Sequence, residues 1–141
     1  MAINKDALVE AAKKAMERAY CPYSKFQVGA AILTEDGNII TGGNVENSSF
    51  GGTICAERSA AVRAIAEGHT KFRAIAVTTA LAEVTSPCGI CRQFLIEFGD
   101  IPVIMVSTTS NKRMEMALSK LLPLAFTPKS LNDFANEQQH T

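Results

Sequence analysis

The sequence predicts an α/β protein, a mixed sheet with helices on its faces, and three observations lead there. Late in the chain, apolar runs of strand length alternate with runs of helical spacing, and that alternation builds a sheet covered by helices. A chain of 141 residues matches the common size of one domain and can bury a core. Hydrophobic residues make up 47% and charged residues 20%, the balance of an ordinary globular protein. No internal repeat or low-complexity linker divides the chain, so residues 1–141 read as a single domain.

The elements follow in order. Asn4 is expected to cap a first helix running to about Arg18, with Leu8, Ala11, Ala12, Ala15, Met16 and Ala19 recurring at helical spacing. "CPYS" stops it at Pro22. "KFQVGAAILTEDGNIITGGNVEN" reads as a hairpin, because two apolar runs flank Glu35-Asp36-Gly37-Asn38 and Asp-Gly is a strong turn signal. "CAERSAAVRAIAEGH" reads as a helix with Ala61, Ile65 and Ala66 among its apolar positions and Gly68 as its C-terminal cap. "FRAIAVTTAL" has the character of a buried strand, and "PCGICRQFLIEFG" that of a helix with Pro87 at or just before its start. "IPVIMVST" is a further strand, and "KRMEMAL" one more before a short helix ending at Pro123. The polar tail, about 132–141, is expected to fray.

Charge narrows the function classes. Fourteen basic and fourteen acidic residues cancel, whereas a protein gripping a long nucleic acid usually carries a basic excess. A small or neutral partner is expected, with no nucleic acid polymer. No apolar run reaches the roughly 18 residues that span a membrane, and the N-terminus lacks an apolar signal core. A cytoplasmic location follows as the expectation. Thiols stay reduced there, so Cys21, Cys55, Cys88 and Cys91 are read as metal-binding, catalytic or inert rather than as two disulfides.

Cys88-Gly-Ile-Cys91 places two thiols on the first turn of a helix, where both can reach one point and the positive end of the dipole favours thiolate. Alone this motif also suits redox chemistry. Cys55 also stands at the start of a predicted helix, and both helices should begin at the same edge of the sheet. Three thiolates would then converge and leave one tetrahedral position for water, the pattern of a catalytic zinc site. Cys21 can supply the fourth ligand of a structural site, but it belongs to no recognisable ligand pair. His69 and His140 do not help. Glu57 falls two residues after Cys55, near enough to exchange protons with that water without being a ligand. Arg58 is next, either donating to the thiolates to offset their charge or facing solvent.

"CAERSA" and "SPCGICRQ" fit the H-x-E…P-C-x-x-C signature of zinc nucleobase deaminases in its three-cysteine form. With "CPYSKFQVGAAI", "GGNVENSSFGGTICAE", "FRAIAV" and "LLPLAF", the chain closely resembles the small cytidine deaminases over residues 5–130. The resemblance implies a three-layer α/β/α fold around a five-stranded mixed sheet, assembled as a homotetramer. It implies zinc-dependent hydrolytic deamination of cytidine and 2′-deoxycytidine to the uridines with release of ammonia, in pyrimidine salvage. It places zinc on Cys55, Cys88 and Cys91, proton transfer on Glu57, the ribose hydroxyls on Asn44 and Glu46, the base against Phe26 and the Ala56 N–H, and Phe126 in a neighbouring subunit's site. Phe50 departs from the tyrosine frequent among relatives, which removes a hydroxyl there. A deaminase of another aminopyrimidine, such as blasticidin S or a base in RNA, and a structural Cys₄ module through Cys21 stand as the alternatives.

Overall fold

The computed structural model describes residues 2–139. Helix α1 (Lys5–Met16) leads into strands β1 (Val28–Thr34) and β2 (Ile39–Gly43), then a tight helical turn at Phe50–Gly52. Helix α2 (Ala56–Ala66), strand β3 (Phe72–Thr79) and helix α3 (Gly89–Ile96) follow. Strands β4 (Pro102–Ser107) and β5 (Arg113–Ala117) precede α4 (Leu118–Leu121) and α5 (Pro128–Gln139). The five strands form one mixed sheet in the order β2-β1-β3-β4-β5. β3 and β4 run parallel, and the other three pairings are antiparallel.

Both faces of the sheet are covered, which is why β3 reads as continuous hydrophobicity rather than alternation. Ala74 and Ala76 of β3 join Ala31, Ile104 and Val106 under Leu8, Val9 and Ala12 of α1. Ile75 and Val77 point the other way and pack with Ala60, Ala61 and Ala64 of α2 and Leu95 of α3. Each fully buried Leu, Ile or Val stabilises by about 1.5–3 kcal/mol relative to exposure. The three-layer α/β/α expectation holds, with α1 on one face and α2 and α3 on the other.

Two glycines set how closely the helices approach. A Cβ on Gly29 would stand 1.9 Å from the Ala12 carbonyl oxygen of α1. One on Gly42 would stand 2.4 Å from the Ala60 nitrogen and 2.8 Å from the Ala56 oxygen of α2. Backbone meets backbone at both places, so no side chain fits.

The hairpin turns at Gly37 with φ 92°, and Gly68 ends α2 with φ 94°, both as the sequence predicts. Asn4 caps α1, its side chain accepting from the Ala7 N–H. The first helix closes at Met16 rather than Arg18, because the N–H groups of Glu17, Arg18 and Ala19 turn back to carbonyls three residues earlier and tighten the end. The tail differs more. Residues 132–139 belong to α5 rather than fraying, and His140 and Thr141 lie outside the described residues. Pro128 opens this helix, the Ser130 hydroxyl accepts from the Thr127 N–H, and Lys129 pairs with Asp133 at 2.6 Å. Local signals hold it, since none of its residues is buried.

Candidate active site

The first turns of α2 and α3 meet at one end of the sheet. Cys55 is the N-cap residue of α2 and Cys88 that of α3, with Cys91 in the first turn of α3. Their sulfurs all lie within 4.8 Å of one another, and Cys55 Sγ is 3.7 Å from Cys88 Sγ. A tetrahedral zinc with Zn–S bonds of about 2.3 Å sets its sulfurs about 3.8 Å apart, so this spacing suits the ion. Among the described residues these three cysteines are the one cluster of His, Cys, Asp or Glu able to hold a metal. Cys21 is not part of it: its thiol is buried and donates to the Phe26 carbonyl at 3.3 Å. His69 is paired with Asp36 at 3.4 Å.

Residues 3–108 match the model of the cytidine and deoxycytidylate deaminase zinc-binding region. The chain belongs to this family. It is 45% identical over 135 residues to the cytidine deaminase of Sporosarcina psychrophila, covering 94% of this chain and 98% of the relative. It is 46% identical over 124 residues to a probable cytidine deaminase of Dictyostelium discoideum, covering 87% of this chain and 84% of the relative. The crystal structure of cytidine deaminase from Burkholderia pseudomallei superposes with a TM-score of 0.84 at 44% identity, over 88% of this chain and all of that one. Zinc is accordingly the metal for which the three thiols of this deaminase are suited.

The deaminase cluster opens into a cavity of about 450 Å³ whose lining includes Phe26, Asn44, Cys55, Ala56, Glu57 and Cys88. Glu57, on the first turn of α2, is almost wholly buried. Burial raises the pKa of its carboxyl, and the Cys55 thiolate adds to the rise. Cys55 itself is lowered to about 5, chiefly by a hydrogen bond from Cys91 and then by Arg58 and Cys88. Cys91 is pushed up in return, since it holds the proton it donates to Cys55, and burial adds to the rise. The orientation of Arg58, open in the sequence, is resolved: Nη2 donates to Cys55 Sγ at 3.5 Å. Its guanidinium faces the sulfurs.

Asn44 is buried and spends its amide on the backbone, accepting from the Val28 N–H at 2.9 Å and donating to the Phe26 carbonyl at 2.9 Å. It thereby fixes the strand entry that carries Phe26. Glu46 lies beside this cavity rather than in it, in a neighbouring pocket with Tyr23, Ser24, Phe50 and Thr53. Thr53 lines both. The Ser24 hydroxyl, with the N–H groups of Ser24 and Tyr23, holds the Glu46 carboxyl below the usual carboxylate range. Phe50 is exposed and meets Tyr23 edge-on, ring centroids 6.0 Å apart. Phe126 is also exposed, outside its own chain's cavity. Sequence reasoning missed Leu81, Thr85, Ser86 and Arg92 in the lining. Arg92, directly after Cys91, carried the best available signal.

Proposed function

We propose that this protein hydrolyses cytidine and 2′-deoxycytidine to uridine and 2′-deoxyuridine, releasing ammonia, in pyrimidine salvage in the cytoplasm. One observation carries the reading: a buried carboxyl, Glu57, lines one cavity with Cys55 and Cys88, two of three converging thiols. Cys55, Cys88 and Cys91 are the zinc ligands. When bound, the zinc ion supplies Lewis acidity, enough to bring the pKa of a coordinated water toward about 7.

The chain's own groups do the rest. Glu57 accepts a proton from the attacking water and delivers it to N3 of the pyrimidine. With the water oxygen then bonded to C4, Glu57 takes the remaining hydroxyl proton and delivers it to the amine. The C4 carbonyl forms as the bond to that nitrogen breaks and ammonia leaves. Its raised pKa suits this task, because a proton carrier works best with a pKa close to the working pH. Arg58 donates to Cys55 and offsets the negative charge of three thiolates. Phe26 stacks on the base, and the Ala56 N–H, one of the unpaired donors at the start of α2, meets its carbonyl. Asn44 and Glu46 hold the ribose hydroxyls with the hydrogen-bonding capacity left after their backbone bonds. The active assembly is a homotetramer in which Phe126 enters a neighbour's cavity.

An ultraviolet assay of cytidine loss, run with and without a zinc chelator, tests the reading. Zinc-reversible loss of activity on cytidine and deoxycytidine is expected. Activity confined to blasticidin S or to cytosine within RNA would overturn it.

A further inference from the structure

Helix α3 carries more than metal ligands. The two residues after Cys91 reach to opposite ends of the segment running from the last residue of α4 to Phe126. Arg92 Nη1 donates to the Leu121 carbonyl, and Gln93 Nε2 donates to the Phe126 carbonyl at 2.8 Å. Between these points the chain turns through Pro123 and through Leu124, a non-glycine residue at φ 55°. Leu124 is fully exposed and Phe126 is 59% exposed. No burial therefore holds either residue in place, and a left-handed leucine costs about 1–2 kcal/mol. Core packing of Leu121, Leu122 and Ala125 holds the segment from one side, and the two side-chain bonds from α3 fix its ends. Arg92 also lines the cavity beside Glu57 and Cys88, and its Nε is buried without a hydrogen-bond partner.

We infer that Arg92 and Gln93 are positioning residues, latching the Leu121–Phe126 strap to the metal-ligand helix so that Phe126 is presented to a neighbouring copy's cavity. The inference rests on the proposed role of Phe126 and adds what aims it. Leu121, Leu122 and Ala125 rest partly buried against the core, but Leu124 and Phe126 have no such packing, whereas α3 is anchored by buried Cys91, Leu95 and Ile96. The helix that carries two of the three proposed metal ligands thus sets the position of an aromatic ring that acts one subunit away. The latch works in trans: its loss should harm the neighbour's cavity and spare its own.

The test is a set of variants in the assembled, zinc-loaded protein. Gln93→Leu should raise KM for cytidine about 3–10-fold, the scale of one misplaced aromatic contact. The turnover number and zinc content should stay as in the unaltered protein. Phe126→Ala should raise KM similarly, and the double variant should be no worse than either single one. Arg92→Gln serves as a second latch variant should Gln93→Leu fold poorly. Co-assembly of Gln93→Leu chains with Glu57→Gln chains should restore a normal KM, because the second chain lends an intact strap to the first chain's intact cavity. Additive effects of Gln93→Leu and Phe126→Ala, or no restoration on co-assembly, would overturn the latch. A KM unmoved by Phe126→Ala would instead overturn the role of Phe126 itself, and with it the latch.

Discussion

Glu57, the proposed proton carrier, needs little chain to place it. Its place on the first turn of α2 next to Cys55 is fixed by two residues of spacing, and its pKa rises because the same turn is buried. Glu57→Gln keeps the shape and removes the basic oxygen, so turnover should fall by about 10²–10⁴-fold or more. Zinc stoichiometry by metal analysis should remain one per chain, and the melting temperature should hold or rise, since a buried carboxyl costs desolvation. Arg58→Ala should cost about 10–100-fold in zinc affinity, read by chelator competition, because the donor to Cys55 Sγ is lost. Cys21→Ser should keep both zinc and fold, its hydroxyl taking over the bond to the Phe26 carbonyl; zinc loss would revive a four-cysteine site. At this scale the three clustered thiols and the buried carboxyl beside them were legible in the sequence, because they lie within one helical turn of two predicted helix starts. Arg92 and Gln93 were not, since their partners, Leu121 and Phe126, sit far along the chain in a segment with no period to predict it.

The elements that carry the site were legible for a similar reason. α2 and α3 announce themselves by start and stop residues, and β3 and β4 by unbroken apolar runs that only a doubly covered sheet explains. α5 escaped because its signals are purely local and its composition polar, a combination that reads as a loose tail. What no pattern reveals is the depth at which a helix sits. Gly42 decides that for α2, since its Cα faces the Ala56 oxygen and the Ala60 nitrogen with no room for a methyl group. Gly42→Ala forces backbone apart from backbone, an overpacking cost of about 1–3 kcal/mol or more. The first turn of α2 must shift with it, carrying Cys55 and Glu57. Chemical denaturation should show the lost stability, and a chelator titration should show weaker zinc binding. Full stability with native zinc affinity would mean that α2 is positioned from elsewhere.

The molecule as a whole leaves apolar surface where a globular monomer would be expected to cover it. Ile54, Val62 and Ile90 are exposed around a cavity of about 580 Å³ that Gln93 and Phe94 also line. Contiguous apolar surface of this kind marks an interaction site. This groove runs up to the residue that holds the Phe126 strap, so the surface that would bury it and the strap that would cross it lie side by side. The proposed homotetramer would use both at once, covering the groove and completing each cavity from a neighbour. Light scattering should accordingly give a mass about four times the 15.1 kDa of the chain. Val62→Glu puts a charge on the exposed surface of α2, one turn beyond Arg58, and should change the stability of an isolated chain by no more than about 0.5 kcal/mol. In the proposed assembly it must bury a carboxylate in an apolar interface, so the tetramer should dissociate. Activity should fall with it while zinc stays bound, because each cavity keeps Glu57 and its thiols but loses the neighbour's Phe126. A dissociated Val62→Glu protein with full kcat/KM would show that one chain suffices.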